Sequence, residues 1–146
     1  MLKLLFCIPI LLFAQIEYQV RNDDPSLFRN HRIFHAAPSP LYKDRPHTLE
    51  FISNIPDDSV ATATLFFKTD SMKYYQEFLL KGIHGHYQFR YDPKQYPGTH
   101  LQYYFVLNTG SKIYGAPLDS LGIIFPMNKL LIDPIQHFKQ KARLNQ

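Results

Sequence analysis

The chain has 146 residues, of which 45% are hydrophobic and 19% are charged. It is therefore long enough for one core and too apolar for a disordered chain. Aromatic side chains make up 15%, from 10 Tyr and 12 Phe, and such rings favour the pleated surface of a β-sheet. Together these values exclude a long helical bundle, a TIM barrel and a two-domain dehydrogenase.

The net charge of +4 is unevenly placed. Residues 15–126 contain eleven basic and eleven acidic residues, whereas residues 127–146 contain four basic residues and one acidic residue. A nucleic-acid module carries a basic stripe on its folded domain. Because the excess charge lies in the C-terminal segment, we expect no nucleic-acid partner.

Residues 1–14 have the layout of a secretory signal peptide. Lys3 precedes an apolar run that ends at Phe13, and the small Ala14 follows it. The run is shorter than the roughly 20 apolar residues that cross a bilayer. We expect cleavage after Ala14, a periplasmic or secreted protein, and no transmembrane segment in the mature chain. A buried N-terminal strand or core helix is the alternative. The single cysteine, Cys7, would leave with the signal peptide, so no disulfide or Cys-based zinc site is expected.

Residues 15–46 are polar and rich in proline, which predicts an extended lead-in. From residue 47, apolar side chains alternate with polar ones, which predicts strands in a domain that spans residues 47–126. The predicted strands lie at 47–55, 60–69, 72–80 (with helix as the competing prediction), 86–92, 101–108, 112–118 and 122–126. The inward side chains are expected to be Leu65, Phe67, Tyr87, Phe89, Tyr103 and Phe105.

Residues 35–117 resemble the bacterial immunoglobulin-like (E-set or fibronectin III-like) modules of exported proteins. The resemblance is carried by HAAPSPLYKDRPHTLEF, ATLFFK, GHYQFRYDP and GTHLQYYFVLNTGSKIYGAP. It implies an all-β antiparallel sandwich of about seven strands that binds, spaces or docks and is not an enzyme. The turn at Asn108 has no acidic residue where such modules often carry one, which weakens the case for calcium there.

Two clusters are candidates for chemistry. His84 and His86, with His100 as a third ligand, could hold a metal, although the flanking glycines favour a polar turn. Asp57 and Asp58 are a carboxylate pair of the kind that glycosidases use, although adjacent acids more often cap a turn. No Gly-x-Ser-x-Gly motif marks a nucleophile. We therefore expect no catalytic residue, no cofactor and no metal.

The C-terminal segment, residues 127–146, predicts a short helix from Pro134 to about Leu144. Asp133 suits the N-cap, and proline suits the first helical position. Ile135, Phe138 and Ala142 form one narrow apolar stripe. The helix is expected to dock on its own sandwich or on a partner. A frayed basic tail and a membrane-surface helix are the alternatives.

Outward-facing rings are the remaining candidates for a binding site. Strand parity places Phe66 and Tyr104 outward, with Tyr74 or Tyr75 beside them. These rings could stack on sugars, contact a protein, or receive the C-terminal helix. The predicted interaction surface is Phe66, Tyr104, Ile135 and Phe138. The predicted function is an exported binding or assembly module whose partner is an envelope or extracellular protein. A carbohydrate-binding module that uses exposed tyrosines is the alternative, and a small hydrolase is a third possibility.

Overall fold

The computed structural model describes residues 32–144, which form a mostly β protein with two sheets and one short C-terminal helix. The predicted signal peptide and the lead-in before residue 32 lie outside the described residues. The strands are β1 (Ile33–Phe34), β2 (Leu41–Tyr42), β3 (His47–Ser53), β4 (Thr62–Thr69), β5 (Gln76–Leu80), β6 (Gly82–Ile83), β7 (His86–Tyr91), β8 (His100–Asn108), β9 (Ile113–Ala116) and β10 (Met127–Ile132). A 3-10 turn covers Asp57–Ser59, and the helix α1 is Pro134–Leu144.

The first sheet has four strands in the order β1-β3-β7-β6. The second has six, in the order β2-β10-β8-β4-β5, with β9 also paired to β8. All pairs are antiparallel except β2 with β10, which is parallel. Because β1 belongs to one sheet and β2 to the other, the chain between them crosses from sheet to sheet.

One apolar core joins the two sheets. Across it, the ring of Phe51 lies 5.0 Å from that of Phe105, and the ring of Phe67 lies 5.6 Å from that of Phe89. The side-chain period of two explains which residues are inside, since alternate positions of β3, β4 and β8 share one face. Of the predicted core, Leu65, Phe67, Tyr87, Tyr103 and Phe105 are buried, and Phe89 is partly buried.

The sheet extends further along the chain than the sequence predicted. Residues 127–132 were assigned to a basic tail, but they form β10, which pairs with β8. β9 and β10 lie on the same edge of β8, β9 beside residues 105–108 and β10 beside residues 100–103. The predicted strand at 122–126 is wrong, because residues 117–126 leave this edge and return to it. The helix alternative for 72–80 is also wrong, since β5 is a strand.

The helix α1 begins and ends where the sequence predicted. Asp133 caps it, since its carboxylate accepts the N–H groups of Ile135 at 2.8 Å and Gln136 at 3.4 Å. The helix meets the sandwich at the ring of Tyr42, which lies 5.9 Å from His137 and 6.2 Å from Phe138. Its ring contacts therefore lie at the β2 edge and not at Phe66 and Tyr104, which the sequence offers as one possible docking site. The reason is that β10, which leads into α1, pairs with β2.

Candidate interaction surface

Three rings cluster on the outer face of the six-stranded sheet. Phe66 on β4 and Tyr104 on β8 are direct cross-strand partners, and their rings stack at 5.0 Å with an interplanar angle of 11°. The ring of Tyr75 meets Tyr104 edge-on at 5.3 Å. All three are half-buried, and desolvation raises the pKa of both Tyr75 and Tyr104. The predicted outward direction of Phe66 and Tyr104 is therefore correct, but neither ring stands fully in solvent.

This stack has a poor geometry for binding a sugar. Neighbouring strands lie about 5 Å apart, so two parallel rings at 5.0 Å must overlap face to face. A flat platform would instead place the rings side by side with one face of each open to the ligand. Because Phe66 and Tyr104 cover each other, the cluster stabilises the sheet as a cross-strand pair.

A group of exposed apolar side chains lies on residues 117–126, which we call the apolar hairpin. Its two arms are joined by the N–H of Phe125 bound to the carbonyl of Pro117 at 3.0 Å. At the tip, the carboxylate of Asp119 accepts the N–H groups of Leu121 and Ile123, both at 2.9 Å. Gly122 adopts a positive φ of 76°, which other residues rarely tolerate. The turn is therefore fixed by its own polar groups.

Three side chains of the apolar hairpin point into solvent. The exposed fraction is 76% for Leu121, 60% for Ile123 and 66% for Phe125. The side chain of Ile124 points the opposite way and packs over Gly115. A Cβ atom added to Gly115 would clash with the end of the Ile124 side chain. Gly115 thus gives the Ile124 side chain room to pack, while the other three side chains stay outside.

A shallow groove runs beside the apolar hairpin. Its volume is about 330 Å³, and it lies between β1, β9 and the hairpin. Ile33, Tyr114, Leu118 and Ile124 are among its lining residues. The edge of the sandwich therefore offers a projecting apolar element next to a concave surface.

The three histidines weighed as metal ligands do not converge. His84 and Gly85 form the two-residue connection between β6 and β7, both with positive φ. His86 binds a carboxylate oxygen of Glu50 at 2.8 Å. His100 begins β8 in the other sheet. Within residues 32–144, no three His, Cys, Asp or Glu side chains are grouped as a metal site would require.

Asp57 acts on a distant turn, which adjacency in sequence did not reveal. Its two carboxylate oxygens accept the N–H of His84 at 2.8 Å and the N–H of Gly85 at 2.9 Å. Asp58 instead accepts the hydroxyl of Ser59 at 3.2 Å. The two acids thus serve different partners, and the geometry of a paired glycosidase site is not formed.

A polar cluster at the start of β8 contains an acid, a hydroxyl and a histidine. Asp70 accepts the N–H of Thr99 at 2.7 Å, the hydroxyl of Thr99, and the N–H of His100 at 3.1 Å. These donors, the Thr99 hydroxyl foremost, hold the pKa of Asp70 well below its usual range. In a hydrolase triad the acid orients the histidine, and the histidine binds the hydroxyl. Here the Thr99 hydroxyl donates to Asp70, and Nδ1 of His100 lies 2.9 Å from the same hydroxyl oxygen. Because the acid binds the hydroxyl and not the imidazole, the order of a triad is not formed, and the cluster ties the β4–β5 connection to β8.

His35 joins the two sheets beside the core. Its Nδ1 lies 2.6 Å from the carbonyl oxygen of Glu50, and its Nε2 lies 2.9 Å from the hydroxyl of Tyr103. A carbonyl only accepts, so Nδ1 donates and the neutral Nε2 accepts the Tyr103 proton. Desolvation lowers the pKa of His35 and raises that of Tyr103. This pair is therefore held in its neutral form.

The apolar hairpin was the feature that sequence reasoning missed. Sequence alternation predicts a strand at 122–126, but these residues belong to the apolar hairpin. The apolar run at 121–125 lies between Pro117 and Pro126 and follows Asp119 and Ser120. These turn-favouring residues are the sequence feature that indicates a closed turn here. Of the predicted surface, Ile135 and Phe138 are more than half exposed on α1, away from Phe66 and Tyr104.

Residues 32–144 contain no helix with the length and apolar character that a membrane crossing requires. No protein-family model matches this chain, and a search of curated proteins found no match to its sequence.

Proposed function

We propose that this chain is an exported, non-enzymatic immunoglobulin-like module that binds another envelope or extracellular protein through the apolar hairpin. The observation that carries the proposal is the exposure of Leu121, Ile123 and Phe125 on a turn that Asp119 holds in place. Export rests on the layout of residues 1–14.

The strand order supports the immunoglobulin-like part of the proposal. The order β1-β3-β7-β6 corresponds to an A-B-E-D sheet, and β10-β8-β4-β5 corresponds to G-F-C-C′. The lead-in crosses between the sheets, so that β1 and β2 correspond to two parts of one first strand. In this scheme β9 and β10 are two halves of the last strand, and the apolar hairpin interrupts it.

A fixed turn is well suited to binding. Ordering a flexible loop on association costs free energy, and a preformed loop avoids this cost. Interface energy concentrates in a few large side chains that fill pockets on the partner. Phe125 and Ile123 can provide such anchors, while the groove lined by Ile33 and Tyr114 can receive a side chain from the partner.

Photo-crosslinking in the producing cell tests the proposal. A photoreactive residue replaces Ile123 in one chain and Leu79 in the control. Leu79 is 72% exposed and lies on β5, at the opposite edge of the sheet. We expect a discrete protein adduct from position 123 and a much weaker one from position 79. Equal adduct patterns from both positions would contradict the proposal.

A glycan array separates the module from the carbohydrate-binding alternative. The proposal predicts no reproducible sugar binding by the parent chain. Sugar binding that is lost in Tyr104→Ala and retained in Ile123→Ser/Phe125→Ser would assign the function to the aromatic cluster and overturn the role of the hairpin.

A further inference from the structure

The helix α1 has an exposed face that is separate from the apolar hairpin. None of its eleven residues is buried. Ile135 is 65% exposed and Phe138 is 56% exposed, although the Phe138 ring also touches Tyr42. Lys139, Lys141 and Arg143 follow these apolar side chains along the helix, and all three are exposed. We call these five residues the helix surface.

Basic side chains outnumber acidic ones around the helix surface. Pro134–Leu144 contains no acidic residue, and Asp133 is used as the N-cap. Lys43 lies next to the first turn, since its N–H binds the carbonyl of Ile132 at 3.0 Å. Nearby, Arg45 lies over the Tyr42 ring at 4.8 Å and pairs with Asp44. The cations of α1 therefore lie beside further basic residues and not opposite a matching set of acids.

We propose that the helix surface binds the anionic headgroups of a lipid bilayer, with α1 lying in the plane of the interface. An amphipathic helix binds in this way when an apolar stripe is flanked by Lys and Arg. Charge complementarity selects the occupant, because an anionic bilayer supplies negative headgroups beside an apolar boundary. An acidic protein is the competing occupant, but it would need a shaped pocket for Ile135 and Phe138. A narrow stripe on an otherwise open helix fits a bilayer without such shape matching.

The number of cations on the helix surface sets the expected change in affinity for anionic vesicles. Each Lys or Arg near an anionic surface contributes about 1 kcal/mol, which is about fivefold in partition coefficient. Neutralising two lysines should therefore weaken binding about 25-fold at low salt. Removal of Ile135 should weaken it further and should do so at high salt as well, since the apolar contribution is not screened.

Vesicle sedimentation tests this proposal with the full exported chain. The probes are vesicles of phosphatidylglycerol mixed with phosphatidylcholine and vesicles of phosphatidylcholine alone. We expect salt-sensitive binding to the anionic vesicles only. Lys139→Gln/Lys141→Gln should lose about 25-fold in affinity. The control Lys81→Gln/Lys112→Gln removes the same charge from exposed lysines outside α1 and should lose less than about threefold.

Three results would overturn the proposal. The first is absence of binding to anionic vesicles at low salt. The second is an equal loss in both double variants, which would indicate attraction by net charge alone. The third is an Ile135→Ser chain that keeps its helix by circular dichroism and binds vesicles as well as the parent chain. If the chain binds an immobilised acidic polypeptide but no anionic vesicles, the proposal is also overturned, and the helix surface is assigned to an acidic protein.

Discussion

Two apolar elements flank β10, and they are held in place by different means. The apolar hairpin precedes the strand and is fixed by hydrogen bonds to Asp119 and by the seat of Ile124 on Gly115. The helix α1 follows the strand and meets the sandwich mainly at the ring of Tyr42. Both leave large apolar side chains in solvent. The difference indicates that the hairpin is a preformed turn, whereas α1 has a weak attachment and is marginal without further packing.

Both elements are attached to the core of the sandwich, and Phe67→Ala measures how much of the free energy of unfolding this core supplies. Phe67 is fully buried, and its ring contacts Phe78, Phe89, Tyr91 and Tyr96. Truncation of such a side chain costs about 3–5 kcal/mol. Urea unfolding should show a decrease of this size in the free energy of unfolding. A decrease no larger than those of Asp119→Ala and Tyr42→Ala would mean that the core is not the main source of stability.

Asp119→Ala removes the groups that fix the apolar hairpin. The loss of two hydrogen bonds from backbone N–H groups to a carboxylate should cost about 1–2 kcal/mol. Amide hydrogen exchange of Leu121 and Ile123 should accelerate strongly, while exchange in β8 stays slow. Asp58→Ala is a suitable control, since Asp58 bonds only to its neighbour Ser59. Unchanged exchange at the hairpin tip would mean that Asp119 does not hold the turn.

Tyr42→Ala removes the ring against which α1 rests. The backbone of Tyr42 keeps its contact with Nε2 of His47, so the change is confined to the side chain. Aromatic pairs contribute about 0.5–1.5 kcal/mol, and a helix of this length is marginal without packing. Faster amide exchange in residues 138–143, with the apolar hairpin unaffected, is the expected result. Equal acceleration in both elements would show that they are coupled.

Lowering the pH should decrease the free energy of unfolding, because His35 is held neutral between the sheets. Its pKa in the folded chain is below the value of about 6.5 in an unfolded chain. In the interval between these values the unfolded chain binds more protons, so the free energy of unfolding rises with pH there. Stability should therefore fall as pH drops below about 6.5. The slope in this interval should be smaller in His35→Gln, and an unchanged slope would remove His35 from this account.

The sequence predicted those parts of the fold that depend on local pattern. Alternation placed Leu65, Tyr103 and Phe105 correctly inside, and the Asp133-Pro134 pair marked the start of α1. Contacts between distant residues were not predictable in this way. Asp57 binds a turn 27 residues away, and β10 was missed because the charged Lys129 stands on the inward parity of that strand.

The candidate site was harder to predict than the fold. Phe66 and Tyr104 were chosen from strand parity alone, and parity does not reveal that cross-strand rings cover each other. The apolar run at 121–125 has the composition of a strand, and only the capping by Asp119 converts it into an exposed turn. Residues that serve an interface violate the rule that apolar side chains are buried, and a pattern method assigns them to the core.

The central claim is that the exposed side chains of the apolar hairpin contact a partner. The most direct measurement places a photoreactive residue at Leu121 and compares adduct yield in two backgrounds, Ile123→Ser/Phe125→Ser and Leu79→Ser. All of the replaced side chains are exposed, so each background should stay within about 0.5 kcal/mol of the parent in unfolding free energy. We predict a yield at least about tenfold lower in the hairpin variant, from the loss of two anchors worth above about 1 kcal/mol each, and an unchanged yield in Leu79→Ser. Equal yields in the two backgrounds would contradict the claim.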